Sequence, residues 1–403
     1  MRVLALGGPG AMGAAAVHTA VTLPGIGEIV IADRDLAAAA RLARRYAHAP
    51  MPIRAIEVDV TDDEGLRRAL SAVDLVLNTV GPYYRFGPAV LRAALSTGTH
   101  YLDICDDWEP TERMLEFDRE ARDRGVCAVI GMGASPGISN LLAAIAAAEL
   151  ETVRDVFTAW PVDVDTAEDE QALSPDGSPS AAAVHWMQQI SGTIRVVEAG
   201  RRTDRRPLAP TALRLPGGRR GTAYTVGHPE PITLRHSLKA SGDAATLMVV
   251  TPWTLAYLEV LRRDIDGGRL TNDTAARALA EPTLSQLLRS VPIALRTGGP
   301  GTLPSFFAAV TGCAHGRERS VLAYLNMSVP ATDPAHGLLG DMARATGIPL
   351  ALGMSQLIDG SALRPGVHPP ETVIDPVRFF ADLDRVLGRD SDAPLYGVER
   401  AAG

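Results

Sequence analysis

The sequence is poor in cysteine and in long apolar runs, and both shortages exclude classes of protein. Its three cysteines, Cys105, Cys127 and Cys313, match no metal-ligand spacing, and their odd number predicts reduced thiols rather than a disulfide framework. No stretch is long and apolar enough for a membrane span, and Met1 leads directly into a strand-like segment, which predicts no signal peptide. We therefore expect a cytoplasmic protein with no membrane partner.

Lysine is almost absent, since Lys239 is the single one and 38 of the 39 basic residues are arginine. Arginine clamps carboxylates but exchanges protons poorly, so a lysine-based mechanism would have to use Lys239. The formal net charge of −8 predicts no nucleic-acid partner. None of the nine histidines lies in a zinc-binding motif, and we expect no metal site.

Apolar strands alternate with helices over the first third of the 403 residues. This alternation predicts an α/β fold, a doubly wound parallel sheet of the Rossmann type. Beyond about residue 150 the strand-like segments are short and separated by glycine and proline, which is typical of a mixed or antiparallel sheet in a second α+β domain. Ile232–Leu238 is one of these predicted strands, and Pro376–Leu387 has the apolar spacing of a helix. The six strands predicted for the first domain are Arg2–Gly7, Glu28–Asp33, Arg54–Val60, Asp74–Val80, His100–Cys105 and Val126–Met132.

A glycine-rich turn joins the first predicted strand to the first predicted helix. It contains Gly8, Gly10 and Gly13, with Ala11 and Met12 between the last two. Glycines let the backbone approach a pyrophosphate, whose charge is stabilised by the N–H groups of the helix N-terminus. Asp33 follows the second strand, where an acid can bind an adenosine ribose hydroxyl and so favours NAD. The neighbouring Arg34 offers a partner for the 2′-phosphate of NADP.

Three loops follow the carboxyl ends of later strands, where ligands bind in open α/β sheets. The loop 78–87 carries Tyr83, Tyr84 and Arg85, which suit the ribose–nicotinamide end and an anionic substrate, although the tyrosines also fit a packed turn. The loop 103–107 carries three carboxylates, of which Asp103 is the candidate to bind or deprotonate an amine. Helix capping is the alternative interpretation of these acids.

The third loop, 131–137, contains Ser135 in a pattern that resembles a hydrolase nucleophile elbow. That chemistry needs the N–H of the residue after the serine, and Pro136 has none, so we interpret Ser135 as a ligand-positioning or helix-capping residue. In the second domain, His228 and Glu230 lie in a proline-bounded turn. His228 suits proton exchange near neutral pH, and a structural histidine is the alternative.

Six motifs spread over nearly the whole chain resemble those of the saccharopine dehydrogenase-like oxidoreductases, in the saccharopine reductase and lysine 6-dehydrogenase branch. They are residues 7–13 (GGPGAMG), 76–87 (VLNTVGPYYRFG), 99–105 (THYLDIC), 131–140 (GMGASPGISN), 227–231 (GHPEP) and 369–375 (PPETVID).

The resemblance implies a domain organisation. Residues 1–138 would form the dinucleotide-binding Rossmann domain and 139–349 a substrate-binding and dimerisation domain. Residues 350–388 would return to pack on the Rossmann domain, and 389–403 would be a loose tail. A homodimer is the implied assembly.

The resemblance also implies places for site residues, beside those that the loops suggest. It puts Gly8, Gly10 and Gly13 at the pyrophosphate, Asp59 and Val60 near adenine, and Val80, Gly81, Pro82 and Asp103 near nicotinamide. Tyr83 and the turn with Gly133, Ser135 and Pro136 would border the substrate. The full expectation adds Ala11, Met12, Asp33, Arg34 and Asn78 for the cofactor, Tyr84, Arg85 and Cys105 for the substrate, and Asp103, Tyr83 and His228 for catalysis.

The implied chemistry is hydride exchange between a nicotinamide cofactor, NAD or NADP, and a carbon bearing nitrogen in an amino-acid-like substrate. Asp33 favours NAD, which is the weak preference here. The alternative function is a nucleotide-sensing or scaffold protein that retains the fold without turnover.

Overall fold

The computed structural model describes residues 1–163, 180–326, 337–389 and 394–402. The chain forms two compact units, Met1–Leu141 with Val329–Leu395, and Leu142–Ser328 with Tyr396–Gly403. Each unit is discontinuous in sequence, because the chain supplies its last segments to both.

The strands and helices are numbered in chain order. The strands are β1 Arg2–Leu6, β2 Glu28–Asp33, β3 Ile53–Glu57, β4 Leu75–Asn78, β5 His100–Asp103, β6 Cys127–Val129, β7 Thr152–Pro161, β8 Ile194–Glu198, β9 Arg201–Arg205, β10 Pro210–Leu215, β11 Arg219–Thr225, β12 Ala244–Val249, β13 Phe307–Ala314, β14 Arg317–Leu325, β15 Gly366–His368 and β16 Tyr396–Ala402. The helices are α1 Ala11–Ala20, α2 Leu36–Arg45, α3 Asp63–Ser71, α4 Tyr83–Thr97, α5 Trp108–Leu115, α6 Asp118–Asp123, α7 Ile138–Ala147, α8 Ala181–Gln189, α9 Glu230–Ser237, α10 Pro252–Asp266, α11 Asn272–Ala280, α12 Leu284–Ala294, α13 Met342–Ile358 and α14 Pro376–Val386.

The first unit contains a seven-stranded parallel sheet in the order β3-β2-β1-β4-β5-β6-β15. Its first six strands have the order of a doubly wound dinucleotide-binding sheet, so the predicted Rossmann fold is confirmed. The seventh strand comes from the C-terminal segment, where Gly366 pairs with Cys127. The carboxyl ends of β1 and β4 meet at the point where the strand order reverses, which is where such sheets bind ligands.

The C-terminal helix α13 packs on α1 through a glycine. A Cβ on Gly347 would lie 2.5 Å from the Met12 carbonyl oxygen and 2.7 Å from the Ala15 Cβ, so only glycine lets the two helices approach this closely. The predicted return of the C-terminal segment to the Rossmann unit is therefore confirmed. The helix starts at Met342, before the expected boundary at residue 350, and most of its residues are buried.

The second unit contains a mixed sheet in the order β10-β11-β12-β7-β13-β14-β16, with β8 and β9 added beside β12. Within this path, β12 and β7 are parallel, whereas their outer neighbours are antiparallel. The prediction of a strand at Ile232–Leu238 is wrong, because these residues belong largely to α9. Pro229 and Pro231 lack the N–H groups that a strand would donate, and both fit the first turn of a helix.

The prediction of a loose tail at 389–403 is wrong for its second half. Strand β16 pairs antiparallel with β14 along its whole length. Glu399 accepts a 2.7 Å bond from Arg219, and Arg400 lies 2.6 Å from Glu149. Residues 390–393 and 403 lie outside the described part of the chain. Among the described residues, every helix is too short or too polar to cross a membrane.

Candidate functional site

The glycine turn after β1 is shaped by close backbone contacts. Gly7 has a φ of +76°, and its N–H donates to the Ala32 carbonyl at the end of β2 (2.9 Å). A Cβ on Gly13 would lie 2.5 Å from the Gly7 carbonyl oxygen and 2.8 Å from both the Gly8 Cα and the Thr79 Oγ1. Gly13 therefore lets the first turn of α1 press against the loop, which is the role of the third glycine in a dinucleotide-binding turn.

Helix α1 begins without a side-chain cap. Gly10 occupies the N-cap position in an extended conformation, and Ala14 is the first residue of the helix whose N–H bonds to the carbonyl four residues earlier, that of Gly10 (2.8 Å). The preceding N–H groups, including those of Met12 and Gly13, have no carbonyl one turn earlier in the helix. These donors and the helix dipole together fit a pyrophosphate, so the residues present fit a dinucleotide.

The polar residues after β2 and β3 lie at the same edge of the sheet. Asp33 is partly exposed, and its Oδ1 accepts the Asp35 N–H at 2.9 Å. Asp59 is exposed, and bonds from Thr61, first from the side chain and then from the backbone, lower the pKa of its carboxyl, with a smaller contribution from the charge of Arg34. Arg34 is itself exposed. The positive charge of Arg34 therefore acts on Asp59, the acid that the resemblance puts near adenine.

A buried polar network connects β4, β5 and the start of α4. The Asn78 Nδ2 donates to the Tyr101 hydroxyl (3.0 Å), and the Asn78 Oδ1 accepts the Val80 N–H (3.1 Å). The Tyr83 hydroxyl donates to the Asn78 carbonyl (2.7 Å). Asn78, Tyr101 and Asp103 are each 0% exposed. The network thus holds the backbone that leads into the 80–82 loop.

Asp103 ends this network. Its Oδ2 accepts the Tyr101 hydroxyl (2.7 Å), and its Oδ1 accepts the N–H groups of Cys105 (3.0 Å) and Gly131 (2.7 Å). Burial raises the pKa of the Asp103 carboxyl to about 6, against these three hydrogen bonds, which lower it. Burial also raises the pKa of the Cys105 thiol and the Tyr83 hydroxyl well above their ordinary values. Both groups are therefore protonated at neutral pH.

The start of α4 presents exposed side chains next to this buried network. Tyr84 is 46% exposed, and Arg85 is also exposed, with its guanidinium 4.9 Å from the centre of the Phe86 ring. Gly81 and Pro82, joined by a cis peptide bond, precede them. Of the residues expected in this loop, Tyr84 and Arg85 are accessible to a ligand, whereas Tyr83 faces the interior.

The turn 131–137 satisfies its own backbone. The Gly133 N–H donates to the Pro136 carbonyl (2.8 Å), and the Gly137 N–H donates to the Asn140 Oδ1 (3.0 Å). The Asn140 Nδ2 in turn donates to the Glu371 Oε2 (2.8 Å). Ser135 is partly exposed and precedes Pro136 in a cis peptide. The turn is therefore tied to β5 through Asp103 and to the C-terminal segment through Asn140.

His228 lies in the second unit, between β11 and α9. It is 3% exposed, its Nδ1 lies 3.5 Å from the Glu230 Oε2, and its ring centroid lies 5.6 Å from that of Trp160. A buried imidazole beside a carboxylate can carry a proton. The structure thus groups Asn78, Tyr83, Asp103 and Cys105 in one network of the first unit, and His228 belongs to a separate pocket of side chains.

Several residues that hold the candidate site in place were not expected from the sequence. Tyr101 and Gly131 bind both oxygens of Asp103, and Thr79 donates to the Leu6 carbonyl (3.0 Å) beside the glycine turn. Tyr101 could have been found from the sequence, because it lies two residues before Asp103 on a buried strand and its side chain is therefore on the same face. Asn140 and Glu371 are 231 residues apart in the chain, and no local pattern indicates their contact.

Comparison with known proteins agrees with this geometry. Residues 3–129 match the family described as saccharopine dehydrogenase NADP binding domain. The NADP(+)-dependent, L-glutamate-forming saccharopine dehydrogenase of Saccharomyces cerevisiae is 31% identical over 115 residues, which are 28% of this chain and 24% of that protein. The chain thus matches about a quarter of the length of that relative. The family description names NADP, against the preference for NAD that Asp33 suggested.

Two other similarities extend over the whole chain. Carboxyaminopropylagmatine dehydrogenase of Synechocystis is 22% identical over 387 residues, which are 93% of this chain and 94% of that protein. The apo structure of the saccharopine dehydrogenase (L-Glu forming) from Saccharomyces cerevisiae has a TM-score of 0.60 and 17% identity, with 100% of both chains covered, and so shares the fold. Residues 3–129 are therefore similar to the saccharopine dehydrogenase NADP-binding domain, and the chain as a whole shares the fold of the yeast enzyme.

Proposed function

We propose that the protein is an NADP-dependent oxidoreductase that transfers a hydride to or from a carbon bearing nitrogen in an amino-acid-like substrate. The observation that carries the proposal is the turn Gly7–Gly13, where the contacts of Gly13 leave no space for a side chain and α1 begins without a cap. The whole-length relative in Synechocystis and the matched yeast enzyme are both named as dehydrogenases, which supports the reaction class.

The binding roles follow from the edge of the sheet. The N–H groups at the start of α1 would bind the pyrophosphate, and Arg34 would bind the 2′-phosphate through charge-assisted hydrogen bonds. Asp59 and Val60 would lie near adenine, and Val80, Gly81 and Pro82 near nicotinamide. The cofactor, when bound, would supply the hydride acceptor or donor. An exposed guanidinium at Arg34 suits NADP better than NAD, because a free ribose hydroxyl needs no positive charge.

Asp103 is proposed to position the site rather than to exchange the substrate proton. Its two oxygens already accept three hydrogen bonds from the protein. Through Tyr101 and Gly131, it fixes the two loops that would border nicotinamide and substrate. Proton exchange is proposed for His228 beside Glu230, and Tyr84 and Arg85 are proposed to bind the substrate carboxylate.

The first experiment measures binding and turnover separately. Calorimetry with NADP⁺, NADPH, NAD⁺ and NADH should show that the phosphorylated pair binds at least tenfold more tightly. Absorbance of the reduced nicotinamide should then change with NADP⁺ and an amino-acid-derived secondary amine, or with NADPH and an aldehyde–amine pair. Binding of NADPH without turnover on either panel would contradict the enzyme and support the nucleotide-sensing alternative. An absence of binding would contradict both.

A further inference from the structure

Helices α10 and α12 of the second unit border a cavity of about 450 Å³ that is lined by three arginines. Arg263 comes from α10, whereas Arg289 and Arg296 come from α12 and from the turn that follows it. The apolar part of the lining consists of Val260, Pro292 and Ile293. Sites for small molecules have volumes of about 300–1,000 Å³, so the cavity is large enough for a small organic ligand.

Helical spacing brings the lining residues of each helix together. Arg289 and Arg296 are seven residues apart, which is about two turns of a helix, so both lie on the same face. Arg296 follows the end of α12, and its N–H donates to the Ile293 carbonyl (3.0 Å), which continues the helical turn. On α10, Val260 precedes Arg263 by one turn. The apolar and the charged parts of the lining are therefore adjacent.

Two of the three arginines are held from the interior through one nitrogen each. The Arg263 Nε lies 2.8 Å from the Glu259 Oε1, and the Arg289 Nη2 lies 2.7 Å from the Asp264 Oδ1. The side chains of these acids are 9% and 5% exposed, whereas those of the two arginines are 53% and 42% exposed. Because a guanidinium has five N–H donors, each arginine is fixed in place and keeps most of its donors for a ligand.

The acids beneath the cavity are outnumbered by the arginines that pair with them. The acids are Glu259, Asp264 and Asp266. The arginines paired with them are Arg206, Arg262, Arg263, Arg269 and Arg289. Five guanidinium groups thus share three carboxylates, and the ion pairs leave positive charge that is not neutralised.

Arg296 adds a sixth positive charge to this group. It is exposed and forms no ion pair with any residue in the described ranges of the chain. The carboxyl ends of α10 and α12 oppose the surplus of three charges with about half a negative charge each, so about two positive charges remain. In a chain with a formal net charge of −8, this surplus is a local attraction for anions.

We propose that this cavity binds the phosphate monoester of a small organic molecule. The phosphate would accept N–H bonds from Arg263, Arg289 and Arg296, and the carbon body would lie on the apolar part of the lining. A phosphate monoester carries nearly two negative charges and three acceptor oxygens at neutral pH, which match the remaining charge and the three arginines. A single carboxylate offers fewer oxygens and half of that charge. None of these residues belongs to the site proposed for the dinucleotide.

The first test is calorimetry of the full-length protein with phenyl phosphate. Phenyl sulfate is the matched control, because it has the same shape and a single negative charge. Phenyl phosphate should bind saturably, with one site per chain, and about tenfold or more tightly than phenyl sulfate. Inorganic phosphate, which has no apolar body, should bind more weakly than phenyl phosphate. Absence of phenyl phosphate binding, or equal binding of the three anions, would overturn the proposal.

The second test locates the bound phosphate. Arg296→Gln should raise the dissociation constant of phenyl phosphate about tenfold or more and should leave the unfolding temperature unchanged, since Arg296 has no ion pair. Arg289→Gln should weaken binding similarly, and Asp264 keeps its pair with Arg269 in that variant. Both variants should bind NADPH like the wild type.

Arg34→Ala is the control for binding at the site proposed for the 2′-phosphate of NADP. This variant should bind phenyl phosphate as the wild type does. If Arg34→Ala abolishes binding while Arg296→Gln retains it, phenyl phosphate occupies the cofactor site and the proposal is wrong. Unchanged affinity in both Arg289→Gln and Arg296→Gln would overturn it as well.

Discussion

Two glycine-rich turns of the first unit lie at the carboxyl edge of the same sheet, and they differ in the backbone N–H groups that follow their first glycines. In the turn 7–13, the helix starts uncapped and its first N–H groups point to no carbonyl of the helix. In the turn 131–137, the N–H groups of Gly131, Gly133 and Gly137 all bond within the protein. We propose that the first turn receives an external anion, whereas the bonds of the second turn hold neighbouring loops in place.

The largest effect is expected in the second turn. A Cβ on Gly137 would lie 1.9 Å from the Gly133 carbonyl oxygen, and Gly137 has a φ of +125°. Gly137→Ala should therefore lower the free energy of unfolding by about 4 kcal/mol, from backbone strain and overlap together. Urea unfolding measures the change. Gly27→Ala is the matched control, because the nearest atom to its Cβ would be the Met1 carbonyl oxygen at 3.7 Å. If the two variants were equally stable, the claim that the second turn is rigid would be wrong.

A second prediction concerns the acid that anchors this turn. The Asp103 carboxyl has a pKa of about 6 in the folded chain and an ordinary value of 3.8. Between these values the folded chain keeps a proton that the unfolded chain releases, so the free energy of unfolding falls as pH rises. The whole shift corresponds to about 3 kcal/mol.

Asp103→Asn removes this titration. Relative to the variant, the wild type should lose about 2.4 kcal/mol of stability between about pH 4 and pH 7, measured by urea unfolding at both values. Parallel pH dependence of the two proteins would show that Asp103 does not titrate between these values.

The first turn should respond to substitution in binding more than in folding. Gly13→Ala places a Cβ 2.5 Å from the Gly7 carbonyl oxygen and pushes α1 away from the loop that would hold the pyrophosphate. We expect the NADPH dissociation constant to rise about 30-fold, equivalent to about 2 kcal/mol. Calorimetry measures this change, with Gly27→Ala again as the control. If Gly13→Ala loses as much stability as Gly137→Ala and binds NADPH normally, the contrast between the turns fails.

The smallest effect concerns the choice of cofactor beside the first turn. Arg34→Ala should weaken NADPH binding about tenfold, by the loss of a charge-assisted bond worth about 1.5 kcal/mol, and should leave NADH binding unchanged. Arg119→Ala removes an arginine that is 94% exposed on α6 and is the matched control. An equal loss of affinity for both cofactors would exclude a specific contact with the 2′-phosphate.

The fold of the first unit was predictable because its signals are local. Buried strands such as β1 and β4 are continuous apolar runs, and the glycines that follow β1 mark the strand-to-helix turn. Strand β15 was missed because three residues, Gly366–His368, are too short for a recognisable pattern and pair only through the sheet. Strand β16 is longer, and it was missed because its partner β14 lies far away in sequence.

The candidate site was predictable in residue type but not in orientation. The sequence places Asp103 and Tyr83 at the edge of the sheet, and only the three-dimensional packing shows that both side chains turn inward. Tyr101 accounts for this orientation, because its hydroxyl binds one oxygen of Asp103 from the same face of β5. The position of His228 near Glu230 was expected from their spacing. The contact between His228 and Trp160 could be found only from the three-dimensional structure.

The discontinuous organisation of the two units has a consequence for biosynthesis. A ribosome delivers the chain from its N-terminus, yet the Rossmann sheet gains its edge strand only when residues 366–368 appear. The neighbouring sheet gains its own last strand later still, with residues 396–402. Both units therefore wait for these late segments, and a nascent chain halted before residue 366 would leave each of them unfinished.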